Sequence, residues 1–359
     1  MKIAVYGICL NEAANVERFV ASAREADLIQ IADTGSTDDT VARLQALGVS
    51  VRPIRISPWR FDVARNAALV LLPRDIDVCV SLDLDQTLQP GWRQALERGW
   101  TDGANIGVYT EIWDRTEDGA PRRILNNRVH ARRGFRWTAP CHEYLVADGV
   151  PMRPVHLPGF VVEQAQDAAK DRSDYMPLLE LAIAEQPDEP RHLHYLGREY
   201  VQQKRYAEAI GPLERHVAAV AEPGNPERNK SLRLIGWSRL ELGEADAALA
   251  LFRQAAGECP ASRGALTDLA SVLYHRRGDS GEAYDRAVQA AALPDVTPVY
   301  GQDPELGGVP EDLAALAAWR LGRLGEALQW ARKAAAACPR SERIAENLKR
   351  LEAGLAAAG

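Results

Sequence analysis

Two aspartates one residue apart, Asp83 and Asp85, close the apolar run Val78–Leu82. That run predicts a buried strand, so both carboxylates fall at a strand end, where they repel unless a cation or well-placed donors neutralise them. Carboxylate oxygens are hard ligands suited to Mg²⁺ or Mn²⁺, and an ion there could hold a diphosphate. Taken alone, Asp-x-Asp is also the end of an ordinary strand with two solvated acids. A second acidic end stands at Asp33, which closes Leu28–Ala32 ahead of Thr34-Gly35-Ser36-Thr37-Asp38-Asp39-Thr40. The latter reads as a glycine turn and a capped helix start. In Pro58–Leu69, Phe61, Ala64, Ala68 and Leu69 share a helical face, while Asp62, Arg65 and Asn66 point elsewhere, to solvent or to a site. Between Arg122 and Arg136 lie six arginines and no acid: Arg122, Arg123, Arg128, Arg132, Arg133 and Arg136. These form either a solvated strand face or bidentate contacts to phosphate.

The elements that must carry these residues are legible from periodicity. Lys2–Leu10 reads as a buried strand, and Asn11–Ala26 places Val16, Phe19, Val20 and Ala23 at helical spacing. Val41, Leu44 and Leu47 form a helix stripe ended by Gly48, and Val49–Ile56 alternates as a third strand. Successive βα units imply a parallel sheet covered by helices, with ligands at the carboxyl ends of its strands. Asp33, Asp83 and Asp85 all fall there. A mixed region from Trp100 to Gly159 follows, and beyond about residue 165 the pattern becomes helices with short turns. Gly197 to Ala209 and Gly236 to Ala248 are both twelve residues apart. With Leu269-Ala270 and Ala283, then Ala327, Ala331, Ala334 and Pro339, they predict about four tetratricopeptide-like helix pairs. A Pro/Gly-rich insertion, Pro294–Pro310, separates the last two, and Ser341–Leu355 serves as a cap. Such arrays are binding or dimerisation surfaces, so a homodimer is one expectation.

A chain of 359 residues allows two or three domains. Its net charge of −7 weighs against a dedicated polyanion binder. Five dispersed cysteines show neither metal spacing nor a disulfide framework and point to a reducing cytoplasm. No apolar run approaches the roughly 20 residues of a membrane span, and the N-terminus reads as a strand rather than a signal peptide.

These motifs, with Cys9-Leu10-Asn11-Glu12, Ala64-Arg65-Asn66, Leu82-Asp83-Leu84-Asp85, Val129-His130, His142-Glu143-Tyr144-Leu145 and His156-Leu157-Pro158-Gly159-Phe160, carry a resemblance. Residues 3 to 165 resemble the family 2 glycosyltransferases of the GT-A fold, and the whole chain resembles the bacterial subset with tetratricopeptide repeats behind the catalytic domain. The implied architecture is an α/β GT-A domain, Rossmann-like with a mainly parallel sheet, over residues 1–165, then an all-α repeat domain over 166–359. The resemblance implies that Glu12 and Asp33 hold the uracil and ribose of a nucleotide sugar, and that Asp83 contacts the ribose or a metal-bound water. It brings Arg65, supported by Asn66, to the diphosphate or sugar, places Asp85 on the metal, Mn²⁺ or Mg²⁺, and lets His156 complete the coordination. His142 would touch acceptor or phosphate. Relatives commonly carry Glu after the second Asp, where this chain has Gln86, which puts metal dependence in question.

The implied reaction is an inverting single displacement, with Glu143 as general base deprotonating an acceptor hydroxyl or thiol while the nucleoside diphosphate, from UDP-hexose, departs. The expected acceptor is macromolecular, a peptide or protein or a hydroxymethylated DNA base, with a glycolipid behind them. A scaffold that has lost catalysis and works through its repeats is the rival reading. No membrane partner is expected.

Overall fold

The first strand, β1 (Ile3–Cys9), is apolar along nearly its whole length and buried on both faces, as a strand covered by helices on each side must be. In the computed structural model, which describes residues 1–115, 121–165, 175–294 and 306–358, it opens a unit made of residues 1–114 and 123–185. The elements after it are α1 (Val16–Ala23), β2 (Leu28–Asp33), α2 (Thr40–Ala46), β3 (Ser50–Pro53), α3 (Phe61–Val70) and β4 (Val78–Ser81). Next come β5 (Gln86–Leu88), α4 (Trp92–Gly99), β6 (Ile106–Arg115), β7 (Pro121–Ala131), β8 (Phe135–Thr138), β9 (Tyr144–Ala147), β10 (Pro154–Gln164) and α5 (Tyr175–Glu185).

Eight strands form one sheet in the order β3-β2-β1-β4-β7-β6-β10-β5. β1 to β4 run parallel, as does β6 with β10, whereas β7 joins β4 and β5 joins β10 antiparallel. β8 and β9 make a separate antiparallel pair. Alternation divides the interior: Ile3, Val5, Phe19, Val80, Leu82 and Trp92 pack on one face, and Ala4, Tyr6, Ala68, Leu69 and Cys79 on the other. The expected mainly parallel α/β sheet is present, with Cys9 opposite Asp33 and Asp33 opposite Pro53 at its carboxyl edge.

Three boundaries differ from the sequence reading. The helix expected from Asn11 starts only at Val16, because Asn11 is left-handed (φ 55°) and its side-chain oxygen accepts the Thr37 N–H at 2.8 Å. β3 ends at Pro53 on the sheet edge, short of Ile56, with the Ile54 N–H making the last bond to Asp33 O at 2.7 Å. After Asp85 the chain does not break but forms β5 on the sheet edge, where Leu88 opposes Val162.

The second unit comprises residues 115–122 and 186–359. Its helices are α6 (Pro190–Gln202), α7 (Tyr206–Ala219), α8 (Pro226–Glu241), α9 (Ala245–Glu258), α10 (Arg263–Val272), α11 (Ser280–Ala291), α12 (Val309–Arg320), α13 (Leu324–Ala337) and α14 (Glu342–Ala358). Among the described residues they pair as α6–α7, α8–α9, α10–α11 and α12–α13, as the small-residue spacing predicts. A Cβ on Gly197 would lie 2.3 Å from Leu213 Cγ, and one on Gly236 3.0 Å from the Phe252 ring. Close helix approach therefore depends on those glycines. Of the expected insertion, residues 295–305 lie outside the described residues. Pro310 belongs instead to the first turn of α12, where a missing N–H costs nothing. Among the described residues no helix is long and apolar enough to cross a membrane.

Candidate active site

Strand β4 delivers its carboxylates through a close approach to β1. Leu82 N–H donates to Tyr6 O at 3.0 Å. A Cβ on Gly7 would lie 2.2 Å from Leu82 O, so only glycine admits this exit from the sheet. The next residues turn tightly, with Gln86 N–H bonded to Asp83 O at 2.9 Å. Asp83 keeps 28% of its side chain exposed, while Asp85 is buried, its carboxylate reached by Gln164 Nε2 at 3.5 Å and its backbone oxygen by Ala165 N–H at 2.9 Å.

Asp83 is neutralised by arginines. Arg65, projecting from α3, donates Nη2 to Asp83 at 2.7 Å and Nε to Glu143 at 2.5 Å. Arg128, on β7, donates to the other Asp83 oxygen at 3.1 Å and lies 3.8 Å from Glu143. Both guanidinium groups stand over the Trp137 ring, at 5.2 and 5.7 Å from its centroid, within cation–π range. Arg65 is only 4% exposed, and its third nitrogen, Nη1, is buried with no acceptor among the described residues. A buried guanidinium N–H left over after two carboxylates are satisfied is a donor suited to a ligand oxygen.

Two adjacent residues take opposite directions on the loop before β9. His142 is left-handed (φ 51°), and its ring meets Tyr175 of α5 edge-on at 5.6 Å, while Glu143 turns to Arg65. α5 braces that loop from the same unit: Tyr175 also packs on Phe61, and Glu185 pairs with Arg60. The segment before α5, residues 166–174, lies outside the described residues.

Trp137 is held by a fully buried relay. His130 Nδ1 can only donate to the Ala131 carbonyl (2.8 Å), so its Nε2 accepts from the Tyr6 hydroxyl (2.9 Å), which in turn accepts from Trp137 Nε1 (2.8 Å). Burial pushes the His130 pKa down to about 4. The folded protein therefore keeps the ring neutral where the unfolded chain, titrating near 6.5, gains a proton. That stability is present above about pH 6.5 and is lost as the pH falls toward 4, about 3 kcal/mol across the window. Urea midpoints of His130→Gln and the wild type should differ at pH 7, with the gap narrowing by pH 4.5; an unchanged gap would contradict a neutral buried imidazole.

Glu12 and Asp33 lie at the adjacent carboxyl ends of β1 and β2, as expected. Glu12 accepts from Asn15 Nδ2 at 2.6 Å, and its own N–H donates to Thr40 Oγ1. The Asp33 carboxylate accepts the Gly35 and Ser36 N–H groups and faces the Cys9 thiol, whose pKa is pushed up by burial and then by Asp33. Asn66 is placed differently from its expected role beside the ligand. Its amide donates to Trp137 O and accepts from Trp137 N, both at 2.9 Å, so it supports Arg65 only by fixing the stacked indole. His156 does not join Asp85. It is exposed and paired with Val108 near the start of β10, whereas Asp85 meets the other end at Ala165. Across the bulge in β10, His156 and Glu163 oppose Val108 and Ile112 of β6, so about four straight-strand residues, roughly 13 Å, already separate His156 from the Asp85 end.

Of the six arginines Arg128 enters the cluster, whereas Arg132 bonds the carbonyls of Leu72 and Pro73. A shared strand parity with His130 was the one sequence signal for Arg128. Among the described residues no three His, Cys, Asp or Glu side chains converge as a metal cage. A single buried carboxylate such as Asp85 nonetheless suits Mg²⁺ or Mn²⁺, which take their remaining ligands from phosphates and water.

Residues 5–147 match the model described as glycosyl transferase family 2. The N-terminal region is similar to that family over those residues. Its sheet is mostly parallel and GT-A-like, and tetratricopeptide-like helices follow it. No curated protein matches the chain. Solved structures similar to it include a thermophilic tetratricopeptide-repeat protein of Thermus thermophilus, at 19% identity and TM-score 0.38, covering 50% of this chain and 89% of that one. PilF of Pseudomonas aeruginosa aligns at 18% identity and TM-score 0.38, over 50% and 72% of the two chains. YrrB, described as a TPR protein with an unusual peptide-binding site, aligns at 16% and 0.38, over 50% and 83%.

Proposed function

We propose that the protein is a glycosyltransferase that moves a sugar from a nucleotide sugar, a UDP-hexose, to a hydroxyl or thiol of a macromolecular acceptor, with inversion. Residues 1–165 supply the chemistry and 166–359 the acceptor-binding repeats. The observation that carries this reading is the buried Arg65 donor left over inside a cluster of Asp83, Glu143 and Arg128, beside Asp85, in a glycosyl transferase family 2 domain. Such a cluster has little use in a scaffold, because burying two guanidinium groups is costly unless carboxylates and a ligand repay it.

In this reading Glu12 and Asp33 receive the base and ribose, and Asp83, already held by Arg65 and Arg128, borders the ribose. Arg65 turns its remaining N–H to the diphosphate or sugar. Asp85 would hold the divalent cation, which would offset the leaving diphosphate's charge. Glu143 takes the acceptor proton, and His142 borders the acceptor. Between acceptors, a peptide or protein is favoured over modified DNA, since Arg128 is committed to the carboxylate cluster and Arg132 to backbone carbonyls rather than to a phosphate track.

Thermal unfolding with nucleoside diphosphates and nucleotide sugars, with and without Mn²⁺, tests the reading. A ligand at about 100 times its dissociation constant stabilises the native state by roughly 2.7 kcal/mol. One nucleotide should raise the wild-type midpoint, more so with Mn²⁺, and Asp85→Asn should abolish the metal-dependent increment. No shift from any nucleotide would leave the scaffold reading.

A further inference from the structure

Glu111 lies on β6, only 3% exposed, and both its oxygens are occupied by amides. Gln86 Nε2 donates to Oε1 at 3.0 Å, and Asn126 Nδ2 donates to Oε2 at 2.5 Å. The other end of each amide is fixed too. Gln86 Oε1 accepts the Asp83 backbone N–H at 3.0 Å, and Asn126 Oδ1 accepts the Asn127 N–H at 2.8 Å. Each amide can therefore be oriented only one way, and every donor in the chain from Asp83 to Asn126 meets an acceptor. The unit holds one negative charge, and it must be at position 111: a neutral amide there would turn its NH₂ against a donor.

We propose that Glu111, acting through Gln86, is the positioning residue of the Asp83 turn, setting where Asp83 stands between Arg65 and Arg128 and so how the site receives a nucleotide diphosphate. The inference rests on the nucleotide-sugar reading above. Glu111 touches neither ligand nor metal in it. The charged and titratable groups facing Glu111 are Arg128 from β7, Asp83 from the turn after β4 and Tyr109 on its own strand. On neighbouring β10, Glu163 accepts from Gln89 and Gln164 reaches Asp85. Burial raises the Glu111 pKa, while Arg128 opposes the rise.

The test exchanges the charge between the two positions. Gln86→Glu sets two carboxylates in contact with no donor between them and should lower the melting midpoint and weaken UDP about tenfold in Mn²⁺. Glu111→Gln turns an amide against two amide donors and should weaken UDP severalfold. Combining Gln86→Glu with Glu111→Gln restores every bond with the charge moved: the carboxylate introduced at position 86 accepts from Asp83 N–H and from the new amide, whose oxygen accepts from Asn126. That double variant should melt near the wild type and bind UDP within about threefold of it. A double variant no better than the worse single one would overturn the proposal. A wild type shifted by no nucleotide would overturn the transferase reading and the donor role with it, while the melting midpoints of the three variants still report whether residues 86 and 111 share one charge.

Discussion

Glu143→Gln should lower sugar transfer by about 100-fold or more while leaving nucleotide affinity nearly unchanged. Glu143 is mostly buried, and Arg65 and Arg128 approach one of its oxygens at 2.5 and 3.8 Å. Arg65 thus occupies the carboxylate that must take the proton, and Glu143 is released to act as base once the diphosphate draws Arg65 toward itself. Glutamine keeps the shape and can still accept from Arg65 Nε through its amide oxygen, but it cannot take a proton. Turnover with each acceptor, measured beside nucleotide affinity by calorimetry, separates the two roles. Loss confined to turnover assigns the base, whereas equal loss in both would make Glu143 a brace for Arg65.

What the sequence disclosed and what it hid divide along physical lines. Strand-end acids were legible because an apolar run ending in Asp33 or Asp83 fixes both the element and the end of it that carries the charge. Helix pairs in the repeats were legible because Gly197 and Gly236 sit where no Cβ fits, which makes their spacing to Ala209 and Ala248 a packing constraint. The partners of these residues were hidden. Asn66 lies on the right helix beside Arg65, yet its partner is the backbone of Trp137, 71 residues on, and no local pattern reports that pairing. Glu111 is one of two acids in β6, legible only once β5 and β7 bring Gln86 and Asn126 to it. His156 failed for a related reason: its motif survives, but the register of β10 sets it at the far end from Asp85. Arg128 was one of six because a run of arginines does not reveal which parity faces inward.

Arg65→Met should cost about 3 kcal/mol of stability at neutral pH and abolish nucleotide binding, the largest change expected from one substitution in this domain. Arg65 is buried and neutralises two carboxylates at once, so its removal leaves Arg128 to face both Asp83 and Glu143. Methionine fills much of the volume, which limits the cavity contribution and leaves charge as the dominant loss. Two carboxylates then face one cation, and salt screens the excess negative charge, so the gap to wild type in urea midpoint should shrink as ionic strength rises. Arg65→Lys restores the charge without the fork or the flat face over Trp137, and should recover part of the stability but little nucleotide affinity. A gap independent of salt would assign the loss to packing rather than charge, and would remove the ion-pair cluster as the feature that holds α3 to the Glu143 loop.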